Sequence, residues 1–203
     1  MPVVGIINYG AGNIFSVTNA FNHLGVSIRI VSGLDDMEGV THVVLPGVGA
    51  FGHCFQRLKS SGLTATLNEW ALVRGRPFLG ICVGMQLLAN YGEELGGSPG
   101  LGYIPGIVKK IEKFDGIRVP HVGWNNVRFT GDGVIDHQRF DGDYYFDHSF
   151  SFLPEKTNQI WGIVEHGQEF VAAVKHKNII GTQFHPEKSQ TKGLLLLQYF
   201  LGT

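Results

Sequence analysis

The sequence contains few charged side chains and no excess of either sign. Charged residues make up 16% of its 203 residues, and 16 basic side chains stand against 17 acidic ones; about 25% charged residues is usual for a soluble domain. A chain of formal charge -1 offers no basic patch for a phosphate backbone or an anionic lipid surface. Nucleic acid and membrane are therefore not expected as partners.

Cysteine is also scarce. Cys54 and Cys82 are the two cysteines of the sequence, so at most one disulfide could form, and a chain of this length does not need one to fold. Neither belongs to a CxxC pair, and no HxxxH pair accompanies them, so the spacing typical of a zinc site is missing. We expect reduced thiols, a cytoplasmic location, and no metal or other cofactor.

Long apolar runs are absent as well. The first ten residues, MPVVGIINYG, lack the basic segment that precedes the apolar part of a secretory signal. The stretch LLLLQYFLG near the C-terminus is shorter than the roughly 20 apolar residues that cross a bilayer. We expect neither secretion nor insertion into a membrane.

Glycine and apolar residues are abundant instead. The sequence has 29 glycines, and 43% of its residues are apolar, which is enough for a sizeable core and excludes a disordered chain. No linker or internal repeat divides the sequence, so we predict a single domain over residues 1–203.

The first half alternates apolar runs with helical patterns, and glycine-rich turns lie between them. This is the pattern of successive strand–helix units, which build a parallel sheet covered by helices on both faces. The predicted strands are 3–9, 26–31, 41–47 and 76–82, and the predicted helices are 14–24 and 54–74.

From about residue 96 onward, short apolar runs alternate with polar residues, which is typical of antiparallel strands and hairpins. These runs are 107–114, 125–129, 143–152, 160–166, 170–176 and 178–184, and a final helix is predicted over 191–201. We therefore predict an α/β fold with a mostly parallel central sheet, flanking helices and an antiparallel C-terminal extension of the same sheet.

The segment LGICVGMQ, residues 79–86, has the form G-x-C-x-G where an apolar strand gives way to a helical pattern at 85–91. Such a strand–turn–helix junction is a nucleophile elbow, and its strained turn needs small neighbours such as Gly80 and Gly84. A thiol at the start of a helix lies near the positive end of the helix dipole, which stabilises the thiolate. Cys82 is therefore the candidate nucleophile.

The segment GTQFHPEKS contains the partners that a thiolate needs. In extended backbone, residues two apart point the same way, so His185 can act as the base and Glu187 can orient it. Backbone N–H groups would bind the developing oxyanion. The candidates are Val83, directly after the nucleophile, and Val48 in the glycine-flanked loop PGVG.

The remaining cysteine and most histidines are interpreted as structural. Cys54 lies in a helical pattern and is expected to be a small core residue. Hydrogen-bonding roles in the core or at the surface are expected for His23, His42, His53, His137, His166 and His176. The GAGN turn is not a GxGxxG motif, so a dinucleotide site has little support.

The elbow LGICVGMQLL, the loop PGVG and the segment GTQFHPEKS together resemble the class I (triad) glutamine amidotransferases. Within that family, NYGAGN at 8–13, PHVGWN at 120–125 and YYFDHSF at 144–150 resemble the glutaminase subunits of imidazole glycerol phosphate synthases. The resemblance extends over nearly the whole chain.

The resemblance implies that the protein hydrolyses glutamine to glutamate and passes the ammonia to a partner. It implies that Cys82 attacks the side-chain amide, that His185 transfers protons and that Glu187 orients His185. It also implies oxyanion binding by the N–H groups of Val48 and Val83. The residues that would hold the glutamine are Gly49, Gln86, Glu94, Ser149 and Phe150.

The resemblance further implies a heterodimer with a (β/α)8-barrel cyclase, whose bound ligand promotes glutamine hydrolysis from a distance. The docking face would include Asn8, Tyr9, Asn13, Trp124, Asn125, Tyr145 and Lys188. Because glycines flank Val48, we expect a peptide flip in the PGVG loop to switch the oxyanion site between an inactive and an active state.

Two departures from the family pattern leave the pathway open. Related subunits usually carry Val where Asp147 stands and Tyr where Phe150 stands. A paralogous subunit that feeds ammonia to a nucleotide-sugar or surface-polysaccharide pathway is therefore an alternative to the histidine pathway. A stand-alone thiol hydrolase, such as a γ-glutamyl peptidase, and an idle binding module are further alternatives. The motifs PHVGWN and NYGAGN favour an amidotransferase, because a docking face would need them and catalysis would not.

Overall fold

The computed structural model of the protein describes residues 1–113, 117–130 and 137–203. Within these ranges the strands are β1 Val3–Ile7, β2 Ser27–Val31, β3 His42–Gly47, β4 Phe78–Cys82, β5 Tyr91–Gly92, β6 Ser98–Pro99, β7 Gly106–Lys110, β8 His121–Phe129, β9 Gly142–His148, β10 Phe150–Pro154, β11 Ile160–Glu165, β12 Glu169–His176 and β13 Ile179–Thr182. The helices are α1 Ile14–His23, α2 Phe51–Ser60, α3 Thr64–Asn68, α4 Val83–Gln86 and α5 Gln190–Leu201. None of these described helices combines the length and apolar character of a membrane span.

Nine of the described strands form one mixed sheet in the order β2-β1-β3-β4-β13-β12-β11-β8-β9. The strands from β2 to β13 in this order are parallel, and the remaining four continue the sheet antiparallel. The predicted α/β fold with an antiparallel extension is confirmed. The four predicted strands of the first half are present, with boundaries shifted by at most two residues.

The second half departs from the prediction in one respect, because not all of its strands extend the large sheet. A smaller sheet has the order β10-β7-β5-β6. The run 143–152, predicted as one strand, divides at Ser149 into β9 of the large sheet and β10 of the small one. The run 107–114 becomes β7, and its last residue, Phe114, lies outside the described residues.

The predicted helix 54–74 is wrong as a single element. It begins at Phe51 and ends first at Ser60, because Gly62 takes a φ of 77° that a continuing helix does not allow. The chain resumes as α3 and then a π-helical turn at Glu69–Val73.

The predicted helix 85–91 after the elbow is also too long. α4 ends at Gln86, because the N–H groups of Leu101 and Ile104 bind the carbonyls of Leu87 and Leu88. A continuing helix would use these carbonyls itself. Residue 91 instead starts strand β5.

The centre of the large sheet determines where a site can form. Every residue of β3 and β4 is buried, as expected for parallel strands that are covered on both faces. Their last residues, Gly47 and Cys82, are paired in register. β13 joins the same edge, with Thr182 opposite Ile81. Sites in open α/β sheets lie at the carboxyl ends of such strands, and this edge carries the predicted nucleophile.

Candidate active site

Cys82 lies at a strained turn between β4 and α4. Its backbone has φ 55° and ψ -114°, a region that a residue with a side chain avoids and that costs roughly 1–3 kcal/mol. The helix starts at the next residue, Val83, so the thiol lies at the helix N-terminus. This is the strand–turn–helix geometry expected of a nucleophile elbow.

Three glycines allow the backbone around this turn to pack without side chains. A Cβ on Gly84 would lie 1.9 Å from the carbonyl oxygen of Leu45, and one on Gly80 would lie 2.6 Å from the carbonyl oxygen of Gly84. A Cβ on Gly47 would lie 2.6 Å from the nitrogen of Gly84. The end of β3 therefore packs directly against the first turn of α4. Val48, the residue after Gly47, borders the same cavity as Val83.

His185 follows β13 and is 3% exposed. Its Nδ1 lies 2.8 Å from Oε1 of Glu187, a side chain that is 1% exposed, and His185 and Cys82 border the same cavity. The expected grouping of thiol, imidazole and carboxylate is thus present. The expected extended backbone is not, because Pro186–Lys188 forms a 3-10 turn that starts with proline.

The surroundings of His185 favour its protonated form. Burial alone would lower the pKa of His185, but the hydrogen bonds and charges of Cys82 and Glu187 outweigh burial and raise it to about 10. Glu187 and the sulfur of Cys82 thus favour the protonated form of the imidazole. A protonated imidazole beside a cysteine stabilises the thiolate, which is the nucleophilic form.

Gln183 is a functional candidate that the sequence prediction missed. It is fully buried, its Nε2 lies 3.8 Å from Sγ of Cys82, and its Oε1 accepts a hydrogen bond of 3.0 Å from Nε2 of Gln86. An amide N–H directed at sulfur stabilises negative charge there. The signal was available, because Gln183 precedes His185 by two residues and therefore points to the same side of an extended segment.

A cavity of about 340 Å³ opens above Cys82 and His185. It is bordered by both predicted oxyanion donors and by all the predicted substrate residues, which are Val48, Val83, Gly49, Gln86, Glu94, Ser149 and Phe150. Within the described residues, no three His, Cys, Asp or Glu side chains are placed to hold a metal ion.

Two polar residues of the cavity wall are already engaged with the protein. Oε2 of Glu94 accepts the N–H of Phe51 at 2.7 Å, so this carboxylate lies at the positive end of α2. Nε2 of Gln86 donates to the carbonyl of Phe150 at 3.2 Å and thereby holds the start of β10. Glu94 thus presents a fixed negative charge to the cavity, and Gln86 fixes the strand opposite.

A chain of neutral histidines leads from the cavity wall to the surface. Burial lowers the pKa of His148 to about 4 and, together with the charges of its histidine neighbours, that of His121 to about 3. Nδ1 of His148 therefore donates to the carbonyl of Phe150 at 2.8 Å, and Nε2 of His148 accepts from His121 at 2.9 Å. His121 in turn accepts from Nδ2 of Asn125 at 3.2 Å. All three hydrogen bonds run in one direction, from Asn125 to Phe150.

The predicted docking residues do not all lie at the surface. Trp124 is 50% exposed, its ring centroid lies 6.1 Å from that of Tyr145, and Nζ of Lys188 lies 5.4 Å from the Tyr145 ring. Asn125 is partly buried, and its side-chain amide donates hydrogen bonds to His121 and to the carbonyl of Glu165. We call Trp124, Tyr145 and Lys188 the aromatic cluster.

The docking residues of the NYGAGN motif have separate surroundings. Asn8 is exposed and donates to Ser32, whereas Asn13 caps α1 through the N–H of Ser16. Tyr9 is 6% exposed, and its hydroxyl donates to the carbonyl of Pro46 at 2.8 Å. The Tyr9 side chain therefore lies inside the protein, beneath the PGVG loop, and not on an open docking face.

Comparison with known proteins finds relatives along the whole chain. The family model described as glutamine amidotransferase class-I matches residues 5–201. The sequence is 46% identical over 204 residues to "Imidazole glycerol phosphate synthase subunit HisH" of Zymomonas mobilis, with 98% of this chain and 94% of that protein covered. It is 40% identical over 201 residues to "Imidazole glycerol phosphate synthase hisHF, chloroplastic" of Arabidopsis thaliana, with 98% of this chain and 34% of that protein covered.

A solved structure with the same architecture is known as well. It is described as "Crystal structure of glutamine amidotransferase" and has a TM-score of 0.76 at 20% identity, covering 98% of this chain and 97% of that chain. At this level of identity the likeness concerns the fold. It agrees with the large mixed sheet and flanking helices described above.

We predict that the His148→Gln variant loses part of the acid sensitivity of the fold. Folded His148 has a pKa near 4, whereas an unfolded histidine titrates near about 6.5. The unfolded state therefore binds more protons in this window, and the free energy of unfolding falls as the pH drops from about 6.5 towards 4. Urea unfolding at pH 7 and pH 5 measures this fall, which should be smaller in the variant by roughly 1–2 kcal/mol.

The glutamine amide supplies one N–H donor side and one oxygen acceptor without a titratable group, as the neutral imidazole of His148 supplies a donor and an acceptor. His53→Gln, which replaces an exposed histidine of α2, is the matched control. An identical pH dependence in wild type and His148→Gln would contradict the assignment of a neutral buried His148.

Proposed function

The chain belongs to the class I glutamine amidotransferase family, and we propose that it is the glutaminase subunit of an imidazole glycerol phosphate synthase in histidine biosynthesis. It hydrolyses L-glutamine to L-glutamate and ammonia. The 46% identity to the Zymomonas mobilis subunit favours this pathway over the polysaccharide alternative. The observation that supports the mechanism is the pair of His185 and Glu187 at the cavity that Cys82, with its positive φ, also borders.

The first half of the reaction forms a thioester. The sulfur of Cys82 attacks the side-chain amide carbon of glutamine, and the carbonyl oxygen becomes an oxyanion that the N–H groups of Val48 and Val83 bind. His185 gives its proton to the amide nitrogen, the C–N bond breaks, and ammonia leaves. A γ-glutamyl thioester on Cys82 and a neutral His185 remain.

The second half returns the enzyme to its starting state. The thioester sulfur carries no charge, so one of the two partners that raise the pKa of His185 is lost, and the imidazole becomes able to accept a proton. His185 takes a proton from water, the hydroxide attacks the thioester carbon, and the C–S bond breaks. Glutamate leaves, and Glu187 holds the imidazole in place in both halves.

Glutamine binding uses the opposite wall of the cavity. The negative charge of Glu94 suits the α-ammonium group of the amino acid, and Gly49 with the backbone of Ser149 and Phe150 lines the space beside it. Nε2 of Gln86 donates to the carbonyl of Phe150. Gln86 therefore supports glutamine binding indirectly, because it holds the start of β10 in place.

The reaction needs no cofactor, because thiolate, imidazole and backbone N–H groups supply the nucleophile, the proton transfers and the oxyanion binding. Cys54 and Cys82 are free thiols, and such thiols persist in reducing compartments. We therefore assign the protein to the cytoplasm.

The ammonia requires a partner subunit. Ammonium ion has no lone pair and cannot act as a nucleophile, so ammonia must reach its acceptor without equilibrating with water. We assign the acceptor site to a (β/α)8-barrel cyclase that forms a heterodimer with this chain. The Arabidopsis relative supports such a link, because this chain matches 34% of its length and the remainder is long enough for a second catalytic unit.

The aromatic cluster is the best supported part of the docking face. Trp and Tyr are enriched among the residues that dominate binding energy at protein interfaces. The carbonyl of Tyr145 accepts the N–H of His185 at 2.9 Å. A partner that contacts this cluster therefore touches the strand that supports the catalytic histidine.

The first test of the function is the Cys82→Ala variant. Its kcat for glutamine hydrolysis, measured as glutamate release by the complex with the synthase partner, should fall at least roughly 10³-fold. Glutamine should still bind, because alanine removes the sulfur and leaves the cavity wall intact. Glutamate release at the wild-type rate would contradict the mechanism.

The second test concerns the partner. Replacing Trp124 by alanine should weaken binding of the cyclase subunit by at least about 30-fold, since a central aromatic anchor contributes roughly 2 kcal/mol or more. Isothermal titration calorimetry with the purified subunits measures this. Leu72→Ala, which removes an exposed apolar side chain outside the predicted face, serves as the control. Equal affinities for wild type and Trp124→Ala would remove the cluster from the interface.

A further inference from the structure

Two buried side chains support the loop PGVG, residues 46–49, from below. The hydroxyl of Tyr9 donates to the carbonyl of Pro46 at 2.8 Å, and the thiol of Cys54 donates to the carbonyl of Val48 at 3.3 Å. The Tyr9 hydroxyl and the Cys54 thiol also lie close to each other. Both residues are nearly inaccessible, with exposures of 6% for Tyr9 and 1% for Cys54.

The positions of these two carbonyls matter because of the peptide unit between them. The Pro46 carbonyl belongs to the unit that joins Pro46 to Gly47, and the Val48 carbonyl belongs to the unit that joins Val48 to Gly49. The unit in the middle joins Gly47 to Val48 and carries the N–H of Val48. Tyr9 and Cys54 therefore anchor the loop on both sides of the oxyanion donor.

The loop needs such anchors because its sequence provides little stiffness. β3 ends at Gly47, so Val48 and Gly49 lie beyond the strand, and Gly49 has a φ of 98° that favours glycine. Glycines permit many backbone conformations, whereas an oxyanion donor must be held at hydrogen-bond distance from the intermediate. Hydrogen bonds to the neighbouring carbonyls restrict the loop at little steric cost.

Both anchors stay donors over the working pH range. Burial raises the pKa of Tyr9 far above its ordinary value, and the nearby Cys54 raises it further. Burial also raises the pKa of Cys54, and this effect exceeds that of the neighbouring Tyr9 hydroxyl, which lowers it. The phenol and the thiol thus keep the protons that they donate.

We propose that Tyr9 and Cys54 are positioning residues for the oxyanion site, because they fix the peptide units on both sides of the Val48 N–H. The proposal rests on the glutaminase function proposed above, since it concerns the oxyanion of that reaction. It assigns Tyr9 to the catalytic loop instead of the docking face, and it gives Cys54 a role that a simple core residue lacks.

The test uses Tyr9→Phe and Cys54→Ala in the complex with the synthase partner. Complete loss of one oxyanion donor costs about 10²–10³ in kcat, so a donor that is only loosened should cost about tenfold in each variant, with KM within about twofold of wild type. Cys54→Ser, which keeps a hydroxyl donor, should recover part of the loss. Steady-state kinetics of glutamate release measures both constants.

A second readout separates positioning from general damage. Alkylation of Cys82 by iodoacetamide passes through no oxyanion, so its rate should be unchanged in Tyr9→Phe and Cys54→Ala while glutamine hydrolysis slows. Tyr103→Phe is the matched control, because Tyr103 is also a buried phenol, 3% exposed, that donates a 2.8 Å hydrogen bond, there to Asn68. It should lose similar stability towards urea and keep the wild-type kcat.

Wild-type kcat in both Tyr9→Phe and Cys54→Ala would overturn the proposal, as would an equal loss of kcat in Tyr103→Phe. Slower alkylation of Cys82 in parallel with kcat would also overturn it, because the variants would then disturb the nucleophile. Failure of the glutaminase function is a separate result, since the wild-type complex would then release no glutamate.

Discussion

The register between β4 and β13 is the constraint on which the site depends. These neighbouring parallel strands pair Gly80 with Gly181 and Ile81 with Thr182, so the residues that follow them emerge side by side at the carboxyl edge of the sheet. Cys82 is the last residue of β4, and Gln183 and His185 follow the end of β13. A shift of one residue in this pairing would turn one set of side chains to the opposite face, and the sulfur would lose its imidazole.

The polar groups around the sulfur of Cys82 form two sets. One set lies beside the sulfur, and the other holds the loop that carries an oxyanion donor. On one side, His185 and the amide of Gln183 lie beside the sulfur of Cys82. On the other side, Tyr9 and Cys54 hold the loop that carries an oxyanion donor. The strained turn at Cys82 persists because the glycines around it let β3 and α4 pack backbone against backbone. The packing of the sheet thus compensates for the strain in the backbone of Cys82.

Local patterns in the sequence predicted the strands of the first half, the elbow and the grouping of thiol, imidazole and carboxylate. These features depend on short segments, such as G-x-C-x-G, whose chemistry is visible without the fold. The break near Gly62 had a signal in the sequence, because glycine commonly ends helices. The early end of α4 had none, because it depends on distant N–H groups of Leu101 and Ile104. The burial of Tyr9 beneath Pro46 is likewise a tertiary contact. Helical periodicity in the sequence does not show which distant group forms a hydrogen bond with a given carbonyl or hydroxyl.

The mechanism requires that His185 activates Cys82, one of the two thiols of the chain. The most direct measurement is the rate of alkylation of each cysteine by iodoacetamide at neutral pH, followed by peptide mass spectrometry, in wild type and in His185→Ala. We predict that Cys82 reacts much faster than Cys54 in wild type. In His185→Ala the alkylation of Cys82 should slow at least about tenfold, because the thiolate loses its cationic partner. Equal rates at Cys82 in the two proteins, or preferential labelling of Cys54, would contradict it.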